Sequence, residues 1–442
     1  MTQGNIIKGI TKFAIPCILT RIIQNLYPLV DSIIVGKVLN IEGLAAVGVA
    51  GSLYSLFNDT FSSLVLGFSI VTSKKYGAKK QNEVNLTFSN SFFISIVICL
   101  AVSIFGILCS ERMFHILNTP DNLINYAKDY INVLFTGFVF NIIFNLICEM
   151  LRAVGNSKTP FLLLVISLVI HLGLLYPFTK IMNVKGTAFS TIISYIITIL
   201  IAFIYIYKNI PEFKINITKF KYNLKILKEC FHIGIPMALT SFVVVLGILV
   251  LSFITNTIGT EYVAAYSCAS KIGYIITTPI FGFGNALAVF TSQNFGANNY
   301  DRINIGIKKT LKLVYLLNIS IIVLSLLISR PLLNSMLNEN KVAINAGMLY
   351  LFIRCLSMFV LTPAAIYKSV LPAIGKPFFS TISGFLEIGI RFIFPLLTSS
   401  ILGFSVVPLT DTVSWIMLSI LLIFAFYYEF KKIRIKDVIN EK

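Results

Sequence analysis

The sequence predicts an all-α integral membrane protein of twelve transmembrane helices arranged as two six-helix repeats. Three observations lead there: apolar runs recur along the whole chain, Lys and Arg collect on one side of those runs, and the second half repeats the first at an offset of 219–220 residues. Of the 442 residues, 57% are hydrophobic and 12% charged, where soluble domains carry about 25% charged residues. A soluble protein this apolar would have nothing to face water with. The runs are long and do not alternate, so they read as helices rather than barrel strands.

Each crossing needs about 20 apolar residues. The runs fall at 11–36, 45–72, 88–110, 127–149, 160–182, 186–207, 231–258, 263–291, 310–329, 345–370, 378–400 and 407–429. The longest polar break, 208–230, holds Lys208, Lys214, Lys219, Lys221, Lys225 and Lys228. It divides an N-terminal six-helix lobe (1–207) from a C-terminal one (231–442). Counting the termini and even-numbered loops as one side, that side has 25 Lys and Arg and the other 7. The bias predicts that both termini and the 208–230 linker are cytoplasmic, with the chain in the cell's inner (cytoplasmic) membrane. The same basic excess therefore serves insertion and anionic lipid, not nucleic acid. The seven Cys (17, 99, 109, 148, 230, 268, 355) lie mostly in apolar runs without CxxC spacing and read as small hydrophobic filler. The first apolar run is too long and too polar-striped for a cleavable signal.

The halves match in sequence. IPCILT (15–20) corresponds to IPMALT (235–240), Ala45-Ala46 to Ala264-Ala265, and TSKKYGAKK (72–80) to TSQNFGANN (291–299). Tyr130 corresponds to Tyr350, and Ala153-x-Gly155 to Ala373-x-Gly375. After that, aligning Pro160 with Pro377 requires a three-residue deletion. Six spans per repeat with the same sidedness give parallel repeats, an alternating-access architecture with its site near the midplane.

The first span carries the densest chemistry. Thr20, Gln24, Tyr27 and Asp31 are spaced four, three and four apart, one face of a helix. A carboxylate at a helix centre costs about 2.5–3.5 kcal/mol on insertion scales, so it is rarely kept without a role. At a rise of about 1.5 Å per residue, Asp31 lies about 30 Å from the cytoplasmic start, in the outer half of the lobe. The alternative is pairing with Lys37 at the outer interface. In the second repeat the stripe becomes Thr240, Val244, Gly247 and Leu251, so ion coupling is expected in the first lobe alone. Pro28 frees the Gln24 carbonyl on the Asp31 face; Pro16 is expected in the first helical turn. Both are candidate bends. His171, in mid-span, belongs to the residue type that most readily exchanges a proton under physiological conditions.

Asp59 sits mid-span beside Asn58, placed to line a cavity or pair with Arg21. Asn141 and Asn145, one turn apart, suit either a cavity wall or interhelical hydrogen bonds. Glu387 and Arg391 are an i, i+4 pair expected to neutralise each other, with cation binding by Glu387 as the alternative. Arg354, without an evident partner, is placed to hold an anion or the Glu387 carboxylate. Lys368 is expected to snorkel to the cytoplasmic face. GNSKT (155–159) lacks the GxxxxGK[ST] spacing and follows an apolar run, so no ATPase is expected. No HExxH, GxSxG or clustered ligand set appears, so no enzyme is expected.

IP followed by LYPLVDSIIVGK, GLAAVGVAG, SKKYGAKK and LRAVGNSKTP, with weaker counterparts in the second half, resembles the multidrug and toxic compound extrusion (MATE) family from Lys12 to about Tyr428. The resemblance implies a two-lobed, V-shaped twelve-helix exporter that exchanges protons or sodium for drugs, often organic cations. Pro16 and Asp31 match the family's first-span proline and acid, and Thr191 its sixth-span threonine. The family's fifth-span Asn and Asp are His171 and Leu175 here. With one carboxylate gone, Asp31 is the residue a sodium ion would take, but the pattern favours Asp31 as a proton carrier with His171 as partner, and Asp31, His171 and Thr191 as the cation/proton-coupling residues. The expected protein is a monomeric drug/proton (or sodium) antiporter of small amphipathic or cationic compounds, with no cofactor. A lipid-linked oligosaccharide flippase of the wider superfamily, or a membrane channel, is the alternative. Gln24, Tyr27, Asp59, Asn141, Asn145, Glu387 and Arg354 are the expected cavity residues.

Overall fold

A computed structural model describes residues 1–39, 41–117, 119–214, 222–337 and 340–440; Lys219, Lys221 and Lys442 lie outside the described residues. Apolar surroundings leave backbone amides no partner but their own carbonyls, so such a chain folds as helix. Among the described residues there are thirteen α-helices and no strands. In order they are α1 (Ile6–Val38), α2 (Ile41–Gly77), α3 (Gln81–Ile116), α4 (Asp121–Thr136), α5 (Phe138–Ala153), α6 (Lys158–Met182), α7 (Val184–Asn209), α8 (Leu224–Ile258), α9 (Thr260–Gly296), α10 (Tyr300–Met336), α11 (Lys341–Ala373), α12 (Phe378–Leu402) and α13 (Val406–Asn440).

The fourth expected span is two helices, α4 and α5, bent by 50°. The break falls at Gly137. A Cβ there would lie 2.2 Å from Cγ1 of Ile192, so the absent side chain lets α7 press into the joint. With that pair taken as one, the described residues form twelve helices, one for each expected span. Among the described residues, eight stretches are long and apolar enough to cross a membrane, and the bent pair makes nine. One of the eight, Phe378–Ile435, comprises α12 and most of α13. α1 and α2, which carry the polar stripe and Asp59, are not in this set.

The helices gather into two compact units, Leu19–Ala238 and Met1–Ile18 with Leu239–Lys442. Each of α1 and α8 begins in one unit and ends in the other. Pro16 is not in a first turn. It is the eleventh residue of α1, two residues before the changeover, and its ring nitrogen cannot bond the Lys12 carbonyl. Pro236 stands equally close to the changeover in α8.

Within Leu19–Ala238, Phe68, Phe88, Phe138 and Leu146 centre one apolar cluster, and Ala46, Phe114, Ile131 and Phe135 another. The start of α8 is held in this unit: Lys75 reaches Glu229 at 3.3 Å, and Gly67 and Gly234 let α2 and α8 touch through backbone. In the other unit, Phe13, Phe283, Phe290, Met358 and Phe426 centre the larger cluster, and Ala265, Leu333, Tyr350 and Val407 the smaller. Arg302 ties the first residues to this unit by donating to the carbonyls of Gln3 and Gly4, each at 2.9 Å.

The helix ends correct the alignment of the repeats. α6 and α12 each have 25 residues, and α12 starts and stops 220 residues after α6. The turns that follow share one backbone conformation, φ 53° and ψ −138° at Asn183 against φ 51° and ψ −136° at Gly403. No three-residue deletion intervenes. Pro377 is the residue before α12, and Pro160 corresponds to Ser380. At this offset His171 corresponds to Arg391, Ser190 to Thr410, and Thr191 to Asp411.

Candidate functional site

In the Leu19–Ala238 unit, three helices bring the expected coupling residues together. α1 supplies Tyr27 and Asp31, α6 supplies His171, and α7 supplies Ser190 and Thr191. His171 is wholly buried, and its Nε2 lies 2.7 Å from Asp31 Oδ1. On the other side of the ring, Nδ1 lies 3.1 Å from Ser190 Oγ and 3.5 Å from Thr191 Oγ1. Tyr27 stacks on the imidazole with centroids 4.8 Å apart. Its hydroxyl is 3.5 Å from Ser167 Oγ, which donates to Ser194 at 3.3 Å. Asp31 thus pairs with His171 rather than Lys37. Its own side chain keeps 14% exposure, so the histidine is sealed while the acid retains an open edge.

The approach of α6 to α7 depends on one glycine. A Cβ at Gly186 would sit 2.0 Å from the Phe178 carbonyl oxygen, so only glycine lets α7 start so close to the end of α6. That proximity sets Ser190 against His171. Ser190 Oγ also donates to the Thr187 carbonyl at 2.7 Å. A hydroxyl has one hydrogen. While it points at Thr187, Ser190 can only accept from His171, and Nδ1 must carry the ring hydrogen. Nε2 and Asp31 then need one further proton between them to bond at 2.7 Å.

The remaining polar residues of this unit form a separate group. Asn141 Nδ2 donates to the Tyr54 hydroxyl and to Asn58 Oδ1, both at 2.8 Å. Asn145 donates to Asn141 at 2.9 Å, and Asn58 to Asp59 at 3.1 Å. Asn141 thus bonds across to α2, while Asn145 bonds back to Asn141 within α5. Arg21 lies close enough to Asp59 to act on it electrostatically. Gln24 and Pro28 are exposed along α1; the Pro28 carbonyl accepts from Ser32 at 2.7 Å.

The other unit holds a buried ion network that the sequence reading saw only in part. Arg354 donates to Asp411 Oδ2 at 2.6 Å, and Arg391 reaches Asp411 Oδ1 at 2.9 Å. Arg391 also reaches Glu387 at 3.0 Å and the Val244 carbonyl at 3.3 Å. Glu387 is 3.3 Å from Lys368. Arg354 therefore has a partner after all, and Lys368 turns to Glu387 rather than snorkelling away. Gly247, the counterpart of Tyr27, makes the space: a Cβ there would be 2.9 Å from Arg391 Cδ. Polar chemistry did repeat in the second half, but from α11, α12 and α13 instead of the first helix of the repeat. Asp411 escaped notice although it lies inside an expected span, and an acid in an apolar run was the signal that drew attention to Asp31. Among the described residues, no three His, Cys, Asp or Glu side chains group as metal ligands.

Comparison with known proteins gives the arrangement its setting. A family model, MatE, matches residues 16–176 and 236–397, one match per repeat and together well over half of the chain. The chain belongs to the MatE family. Two relatives carry multidrug names. The "Probable multidrug resistance protein YoeA" of Bacillus subtilis (strain 168) is 27% identical over 393 residues, covering 86% of this MatE chain and 84% of the relative. The "Multidrug export protein MepA" of Staphylococcus aureus (strain NCTC 8325 / PS 47) is 24% identical over 298 residues, 67% of this chain and 66% of the relative. Solved structures share the fold at TM-scores of 0.90 and 0.89 and 20% identity. One is a MOP superfamily transporter from Pyrococcus furiosus, over 98% of each chain, and the other an outward-facing multidrug resistance MATE family transporter, over 97% of each. This MatE protein is thus a multi-pass membrane transporter rather than an enzyme, with the all-α two-repeat fold of MATE transporters.

Proposed function

We propose that this MatE protein is a proton-coupled antiporter that exports small amphipathic or cationic compounds across the cytoplasmic membrane. Its termini and the 208–230 linker face the cytoplasm, between lobes 1–207 and 231–442. The observation that carries the reading is the 2.7 Å Asp31–His171 pair, which takes up one proton while Ser190 Oγ is turned to the Thr187 carbonyl. When that proton leaves, the carboxylate faces a ring nitrogen with no hydrogen. The bond survives only if the ring hydrogen moves to Nε2, and Ser190 then swings its own hydrogen from Thr187 to Nδ1. Otherwise Asp31 lets go of α6. Either way, protonation changes what α1 is tied to, and only such a difference between two states can drive transport.

Sodium suits this site less well. One carboxylate is present, its Oδ1 lies 2.7 Å from a ring nitrogen, and hard cations prefer a shell of oxygens. The stack of Tyr27 on His171 offers an aromatic wall beside the acid, suited to flat cations.

The test is export from proteoliposomes under separately imposed proton and sodium gradients. Wild type should drive ethidium export with the proton gradient, and Asp31→Asn should lose at least tenfold of that rate. Undiminished export by Asp31→Asn would remove the coupling role. Export that follows the sodium gradient alone would replace the proton.

A further inference from the structure

One surface is covered in the first repeat and open in the second. α10 begins 219 residues after α3, so Ser89 and Asn90 of α3 correspond to Lys308 and Lys309 of α10. On α3 this surface is roofed by the chain that follows α7. Asn85 Nδ2 donates to the carbonyls of Glu212 and Lys214, each at 2.9 Å. Phe213 packs on Phe88 with ring centroids 4.6 Å apart, and the Asn223 amide donates to Asn90 Oδ1 at 2.9 Å. Ser89 and Asn90 are buried there.

α13 does not stop where α7 does. At an offset of 220, the end of α7 at Asn209 corresponds to Glu429, yet α13 runs on as helix to Asn440. It meets α10 in the first turn, where the Phe430 and Tyr300 ring centroids are 6.2 Å apart and Arg434 donates to Asp301 at 2.6 Å. Further along, Lys308, Lys309 and Lys312 stand exposed, and among the described residues none of the three has an ion pair. Asp301 is the one acid of α10, and Arg434 already holds it. The same helix face continues through Leu316, Ile319, Val323 and Leu327, all exposed, to the exposed Arg330. The 18 residues from Lys312 to Arg330 rise about 27 Å, close to the hydrocarbon thickness of about 30 Å. The apolar part of the face is thus long enough to meet acyl chains, and its lysine end comes level with the headgroups.

We propose that Lys308, Lys309 and Lys312 form a docking site for the phosphate headgroup of an anionic phospholipid, whose acyl chains lie along residues 316–327. Two adjacent lysines and a third one turn on present three ammonium groups to one anion. The apolar face above them selects a lipid over a soluble phosphate. A basic excess that served insertion alone would not require the lysines to share a face with that apolar strip. The assignment to the cytoplasmic leaflet rests on the sidedness proposed above; the site itself is independent of Asp31 and of the export reading.

The experiment is native mass spectrometry of the purified full chain, released from a neutral detergent to which dioleoylphosphatidylglycerol, dioleoylphosphatidylcholine or glycerol phosphate is added. Wild type should retain phosphatidylglycerol in preference to phosphatidylcholine. A variant combining Lys308→Gln, Lys309→Gln and Lys312→Gln should bind phosphatidylglycerol about tenfold more weakly and lose the preference. A control that removes the same charge elsewhere on that side, Lys79→Gln with Lys225→Gln and Lys228→Gln, should bind it like wild type. All six side chains are exposed, and both variants are first checked for a monodisperse elution profile. No preference in wild type, or undiminished phosphatidylglycerol binding by the first variant, overturns the proposal. So does an equal loss in the control, which would reduce the site to general charge. Glycerol phosphate bound in the lipid's place would give the face to a soluble phosphate, and a dimer that the first variant alone abolishes would give it to a second copy; either result overturns lipid docking.

Discussion

His171 and Arg391 stand at equivalent places in the two repeats, and the difference between them is the difference between a base and a permanent cation. Imidazole gives up its proton under physiological conditions, whereas guanidinium does not. His171→Arg should therefore freeze the pair with Asp31, leaving a folded protein whose proton-driven export falls at least tenfold; transport in proteoliposomes against circular dichroism of the same sample checks this. In the other unit, Asp411→Asn withdraws the shared acceptor of two buried arginines. Breaking a buried pair by removing one partner costs about 3–5 kcal/mol, so thermal unfolding in detergent should shift down sharply. Asp31→Asn, at a site that keeps an open edge and pairs with an imidazole rather than two guanidiniums, should shift it far less. Legibility at this scale followed chemistry rather than position. Asp31 and His171 could be read from sequence because ionisable residues inside apolar runs are costly. Their meeting could not, because it joins residues 140 apart. Ser190 was invisible, since a hydroxyl in a helix usually does no more than bond its own backbone, as Ser190 also does with Thr187.

At the scale of the elements, hydropathy was enough to find the spans, because the bilayer demands about 20 apolar residues whatever the neighbours are. It could not show that the fourth span bends. That break depends on Ile192 fitting the bare face of Gly137, a contact between residues 55 apart. Gly137→Ala should lower the unfolding temperature, with a penalty of about 1–3 kcal/mol for overpacking. Ile192→Ala in the same chain should recover most of it. The α6–α7 turn is stricter, since at Gly186 the obstacle is backbone. Gly186→Ala should pull Ser190 away from His171 and reduce proton-driven export even where folded protein is recovered. The turn residue Asn183 holds a backbone conformation that glycine takes freely and that Gly403 takes in the second repeat. Asn183→Gly should accordingly raise stability by up to about 1 kcal/mol, read as a higher unfolding temperature. The misplaced alignment of Pro160 with Pro377 shows why sequence alone slipped here. A proline near a helix start draws the eye, but helix ends and turn dihedrals carry the register.

For the whole molecule, the sidedness of 25 against 7 basic residues predicts which loops meet which compartment. In a chain cleared of its seven cysteines, Lys79→Cys should be shielded from an impermeant thiol reagent added outside intact cells, and Lys185→Cys should react. Lys79 is exposed in the turn between α2 and α3, and Lys185, in the first turn of α7, has a half-exposed side chain, so reactivity tracks side of membrane rather than burial. The two-unit organisation was only partly foreseeable. A polar break at 208–230 marks where six spans end, but the exchange of α1 and α8 between units occurs inside unbroken helices, where composition does not change.

The shared turn at Asn183 and Gly403 also speaks to history. Two halves that match at offsets of 219–220 and share that turn, while differing at His171 and Arg391 and at Thr191 and Asp411, fit a duplicated six-helix ancestor. Such an ancestor, working as a pair of identical chains, would have been bound to carry the same chemistry twice. Fusion into one gene lifted that obligation. A mutation giving Arg391 its charge no longer forced a matching loss at His171, and each copy became free to specialise.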